Sequence, residues 1–210
     1  LILNARGFRF DANEHVRELC RRSGATAEEL RGLIGPTRTF VVFAEKPDID
    51  SPQEVEKSGT LSVARALFGE GDVRDALTLL QRSELVQDKD PCAFAFYGQV
   101  LLESQQYDEF KDWLAQVDES CQRYPAYWMA VGGWALHQRK YDDAVRLYAE
   151  AVLREPGDES ANHRLTQALV AAKRSEVAAR FRERNKQINQ LTQITKSVIS
   201  DPDAGPAAVA

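Results

Sequence analysis

The stretch from Trp128 to Pro156, W-M-A-V-G-G-W-A-L-H-Q-R-K-Y-D-D-A-V-R-L-Y-A-E-A-V-L-R-E-P, constrains the fold more than any other part of the chain. Trp128, Gly132 and Ala135 keep helical spacing up to His137, and Gln138-Arg139-Lys140 reads as a polar turn. A second helical period runs from Asp142, carrying Ala144, Tyr148 and Ala151, and stops before Pro156. Small residues at Gly132, Ala144 and Ala151 let two backbones approach, while Trp128, Tyr141 and Tyr148 fill the space beside them. Such a helical hairpin has more apolar surface than it can bury against itself, so it needs neighbours of its own kind.

Those neighbours lie 34 residues away in both directions. One step back from Trp128, Val131, Gly132, Ala135, Ala144, Tyr148 and Ala151 stand Phe94, Tyr97, Gly98, Leu101, Phe110, Leu114 and Val117. Two steps back stand Thr60, Val63, Ala64, Leu67, Ala76, Leu80 and Ser83; one step forward stand Asn162, Leu165, Thr166, Leu169 and Ala178. With Pro156 closing the third unit, this pattern resembles the tetratricopeptide repeat (TPR). The resemblance implies a mainly α fold: a right-handed TPR-type α-α superhelix of helical hairpins, with units at 57–90, 91–124, 125–158 and 159–192. Within them the periodicity predicts helices over 58–69, 73–86, 92–103 and 108–121, and Gly69-Glu-Gly-Asp reads as a turn. Phe110 stands where the family has a small residue, which predicts a slightly splayed second hairpin.

The fourth unit departs from the pattern, with Arg182, Asn185 and Gln190 at the later hallmark positions and no proline. Without a stop signal, its second helix is expected to run from Ser175 to about Ser200 as a C-terminal capping helix. Near-heptad Val177, Phe181, Ile188, Leu191 and Val198 offer the alternative of a homodimer seam. Residues 201–210, with two prolines and small side chains, read as a disordered tail.

Residues 1–50 do not follow the repeat and read as a small α/β or helical segment, either a remnant of a neighbouring domain or a cap on the array. Asp11 or Asn13 can cap a helix reaching Arg22, with Val16, Leu19 and Cys20 on one face. Thr26-Ala-Glu-Glu is a capping box opening a helix to Ile34. Thr39 to Phe43 reads as a strand, Leu1 to Leu3 as a second, and residues 51–56 belong to a linker. Residues 16–35 also resemble a helix-turn-helix through Leu19, Gly24, Leu30 and Leu33, but Glu28 and Glu29 would turn the wrong charge toward phosphates.

Composition narrows the function classes. A net charge of −5 argues against nucleic acid as the main partner. No apolar run approaches the roughly 18 residues a membrane span needs. Cys20, Cys92 and Cys121, odd in number and far apart, fit reduced thiols and a cytoplasmic setting. The chain opens at Leu1 without Met, which fits a fragment; a catalytic domain ahead of Leu1 is a separate alternative. Within the chain, His15, His137 and His163 sit in separate elements, and no metal or nucleophile motif occurs, so no enzyme, metal or cofactor is expected.

The resemblance also implies where a partner would bind. In the family, one face of each first helix lines a concave groove. Matching positions here give Leu61, Arg65 and Phe68; Ala95, Gln99 and Leu102; Met129 and Leu136; His163 and Gln167. That wall is mostly apolar with scattered polar anchors, and suits a protein or peptide segment. The carboxylate clamp of chaperone-binding relatives would fall on Leu61, Arg65, Phe96, Ala126 and Ala130, four of them apolar, so that mode is not expected. The expected function is a non-catalytic protein-interaction scaffold. The alternatives are a DNA-binding regulator with a TPR sensor, an accessory region of a larger enzyme, or self-packing of the wall on the N-terminal segment.

Overall fold

A computed structural model describes residues 6–22, 49 and 59–200. The expected strands at 1–3 and 39–43, the helix at 26–34, the second half of the helix-turn-helix, the linker and the tail lie outside the described residues. So do the side chains of Val16, Leu19, Cys20, Leu191 and Val198.

The described chain is helical throughout. Helix α1 spans Arg9–Arg21. The array follows as α2 (Thr60–Glu70), α3 (Val73–Gln81), the short α4 (Glu84–Gln87), α5 (Pro91–Glu103) and α6 (Tyr107–Gln116). After a 3-10 turn at Glu119–Arg123 come α7 (Pro125–His137), α8 (Tyr141–Arg154), α9 (Glu159–Ala171) and α10 (Ser175–Ser200). α2 packs on α3, α5 on α6, α7 on α8 and α9 on α10; α3 also meets α5, α5 meets α7, and α8 meets α9. Four hairpins therefore stack side by side as an α-solenoid.

The 34-residue register is written into the backbone. Gly71, Gln105, Arg139 and Lys173 all take positive φ, between 60° and 94°. The residue after each returns its N–H to a carbonyl near the end of the first helix: Asp72 to Leu67, Gln106 to Leu101, Lys140 to Ala135 and Arg174 to Leu169, at 2.8–3.0 Å. The same left-handed C-terminal closure, a Schellman-type bond, ends every first helix. Starts are also specified. The Asp90 carboxylate accepts from the Cys92 and Ala93 N–H groups at 3.0 Å ahead of Pro91, and Asp158 accepts from Ala161 N–H at 2.8 Å.

Within the second hairpin the Trp113 side chain lies flush against the α5 backbone at Gly98. A Cβ on Gly98 would stand 2.3 Å from the Trp113 indole, whose Nε1–H donates to the Phe94 carbonyl at 2.9 Å. Phe110 is fully buried, its ring 5.1 Å from Trp113 and 5.3 Å from Trp134 of the next unit. Two apolar clusters share α7, which gives Ala126 and Ala130 to one and Met129 and Ala135 to the other.

Three sequence expectations need correction. The helix expected over 73–86 breaks at Ser83, which turns extended (ψ 127°) and restarts the chain as α4. The helix expected over 108–121 ends at Gln116, where Val117 is extended and the Asp118 carboxylate accepts from Ser120 N–H at 2.8 Å to begin the 3-10 turn. α1 starts at Arg9 rather than after Asp11, because Phe8 and Phe10 are drawn onto the core of the array.

Candidate polypeptide-binding groove

α1 and the turn before it touch the array near the starts of α2, α7 and α9. At its start, Gly7 (φ +90°) sits so close to α2 that a Cβ would be 2.7 Å from the Ser62 nitrogen. Only glycine fits both that dihedral and that gap. Phe10 then meets the Tyr124 ring edge-on at 5.6 Å. Arg123 pairs with Asp11 at 3.1 Å and with Glu14. Arg9 reaches Glu155, between units three and four, at 3.3 Å with both side chains 14% exposed. α1 therefore contacts the array from its first unit to its last junction.

That crossing is electrostatically costly. Burial lowers the Arg9 pKa, opposed by Glu155 and Asp158, while burial raises the Glu155 pKa, opposed by Arg9. Although the two groups are close enough to pair, Arg9 Nη1 and Glu155 Oε1 make no hydrogen bond, and neither does Arg65 Nε. Taking charges out of water without completing their bonds consumes much of what their attraction returns.

Beside α1 the wall remains open as a chamber of about 700 Å³. Arg9, Arg65, Phe68, Phe96, Gln99 and His163 define it, and Asp158, Glu159, Asn185 and Asn189 close the far side. The Arg65 guanidinium lies 4.5 Å above the Phe96 ring and donates to Cys92 Sγ at 3.6 Å. Phe68 packs edge-on against Phe96 at 5.4 Å. Burial, its largest cause, raises the Cys92 thiol pKa despite Arg65. The floor is thus a cation-capped aromatic pair, and the rim carries both signs of charge.

Of the residues expected to line the groove, Arg65, Phe68, Gln99 and His163 come together in this chamber. Leu61, Ala95 and Met129 do not line an open wall; they are buried in the core. Leu102 is half-buried and lodged against Gly133, and Leu136 packs on the second cluster. Gln167 is exposed, paired with His163 at 2.9 Å, and faces a different cleft. Sequence reasoning missed Arg9, Asp158 and Asn189 as lining residues. Asp158 carried a usable signal, because it stands where a helix cap must be. At the positions of the carboxylate clamp, Leu61, Phe96, Ala126 and Ala130 are apolar and buried, and offer no polar group to a chain terminus.

The tetratricopeptide repeat family profile matches residues 67–195, more than half of the chain. The chain is a TPR protein. TPR arrays mediate protein–protein interaction, which is the broad function of this fold. No curated protein matches the sequence. A solved structure of MamA, AMB-1, is similar at a TM-score of 0.45 and 16% identity, over 87% of this chain and 98% of that one. No helix among the described residues of this TPR chain is long and apolar enough to cross a membrane. Among the same residues, no group of three or more His, Cys, Asp or Glu side chains could hold a metal.

Proposed function

We propose that this chain is a non-catalytic interaction scaffold that holds a polypeptide segment of a partner protein in the chamber beside α1. The observation that carries this reading is the convergence of Arg65, Phe68 and Phe96, Gln99, and His163 from three units on one open concavity. The half-buried Phe68 offers apolar contact area beside the buried Phe96, while Arg65, Gln99 and His163 offer direction to a bound backbone or side chain. α1 lends support as well: a helix with aromatic and charged side chains already lies along the neighbouring part of the same wall.

The test is quantitative affinity capture from the source cells with three baits: the unaltered chain, Gln99→Lys/His163→Glu, and Leu153→Lys. Leu153 is 72% exposed on α8 and lines no part of the chamber. At least one partner should be held by the unaltered chain and by Leu153→Lys, and lost from the double variant, with all three baits melting alike. An identical set of partners on all three would remove the chamber from the function.

A further inference from the structure

Each hairpin of the array is completed by the first helix of the next. Ala161, Leu165 and Ala168 of α9 share one core with Met129, Tyr148 and Val152 of the third hairpin. The equivalent slot on the fourth hairpin, between α9 and α10, is filled by no element among the described residues. It forms an open cleft of about 1110 Å³. Thr166 and Val170 line it from α9, and Arg182, Lys186, Asn189 and Gln193 from α10. Both sets advance in steps of three or four residues, so each helix turns one stripe into the slot.

The register shows what is unusual. Arg182 and Lys186 stand 34 residues after Tyr148 and Val152, which are buried under α9. Both cations are exposed, and neither forms an ion pair among the described residues. By contrast Arg146, Arg154, Arg164 and Arg174 each find a carboxylate. No Asp or Glu lines the slot. α10 carries five basic residues against two acidic ones in a chain of net charge −5. The floor keeps apolar character: Val170 is 44% exposed there beside Ala171.

We propose that the α9–α10 slot is a docking site for one amphipathic, acidic helix of a partner protein, seated where a fifth first-helix would lie. Its apolar stripe rests on Val170 and Ala171, and its carboxylates face Arg182 and Lys186. The stripe from 182 to 193 corresponds to about three helical turns, which sets the length of the contact. A helix suits the slot better than an extended strand or a nucleic acid, because two antiparallel helical ridges form its walls and the array fills each earlier slot with a helix. The slot adjoins the chamber beside α1, sharing His163, Asn185 and Asn189 with it, but Arg182, Lys186 and Val170 line the slot alone.

The experiment uses the full chain and two synthetic helical peptides of about five turns. Both carry a leucine stripe; one has glutamates on its flanks and its twin has lysines. Fluorescence anisotropy at low salt should show the glutamate peptide binding and the lysine twin binding far less. Arg182→Glu/Lys186→Glu should weaken the glutamate peptide by roughly fivefold to tenfold and strengthen the twin by a similar factor, as two charge pairs are reversed. Val170→Asn, which removes the apolar contact without adding charge, should weaken both peptides. Because all three side chains are exposed, the melts should not change. Equal treatment of both peptides by the charge-reversed variant would overturn the proposal. So would a short single-stranded DNA that displaces the glutamate peptide, or a wild-type self-association that the charge reversal abolishes.

Discussion

Arg9 and Glu155 meet where α1 reaches the junction of the third and fourth units. They are far apart in sequence, nearly buried and 3.3 Å from each other, with polar atoms left unbonded on both. Replacing either alone strands the other charge in a poorly solvated place. The single changes Arg9→Met and Glu155→Met should each be less stable than the double change, with a coupling of about 1–3 kcal/mol in a double-mutant cycle of urea melts. The double variant should be at least as stable as the unaltered chain. The pH dependence follows from the raised Glu155 pKa. The folded chain binds that proton more tightly than the unfolded chain, so this carboxyl favours folding in acid, and the benefit is lost as pH rises through the raised value. The double variant's advantage should therefore grow as pH rises. A constant difference across that range would mean that Glu155 is not held in the way described.

At the scale of elements, the repeating unit is the closure of each first helix by a left-handed residue. Glycine fills that position only in the first unit; Gln105, Arg139 and Lys173 fill it in the others. A side chain there costs about 1–2 kcal/mol, partly offset because glycine loses more freedom on folding. Gln105→Gly, Arg139→Gly and Lys173→Gly should each raise stability by about 0.5–1 kcal/mol, read from denaturant midpoints. A loss of stability at all three would contradict the assigned backbone. The stacking was legible in the sequence because 34-residue steps superpose large on large and small on small, from Val63 and Tyr97 to Val131 and Leu165. The breaks at Ser83 and Val117 were not legible: both sit in helix-compatible sequence, and a backbone switch at one residue decides them. The seat of α1 was hidden for another reason. Phe10, Arg9 and Asp11 find Tyr124, Glu155 and Arg123 only after the array has formed, and no local pattern records that meeting. Leu61 and Met129 illustrate the consequence. Their register marks them as inner-wall residues, but the packed structure leaves them inside rather than open to a partner.

For the molecule as a whole, four hairpins make one wall that α1 touches from the first unit to the last junction, and beside α1 the wall stays open as the chamber at Arg65, Phe68, Phe96, Gln99 and His163. The central claim is that this chamber is where a partner's polypeptide lies. Site-specific photo-cross-linking tests it most directly, with a benzophenone amino acid placed at Gln99 in one sample and at Leu153 in another. With a captured partner present, the account predicts a cross-linked adduct from Gln99 and none from Leu153. An adduct from Leu153 with none from Gln99 would contradict it.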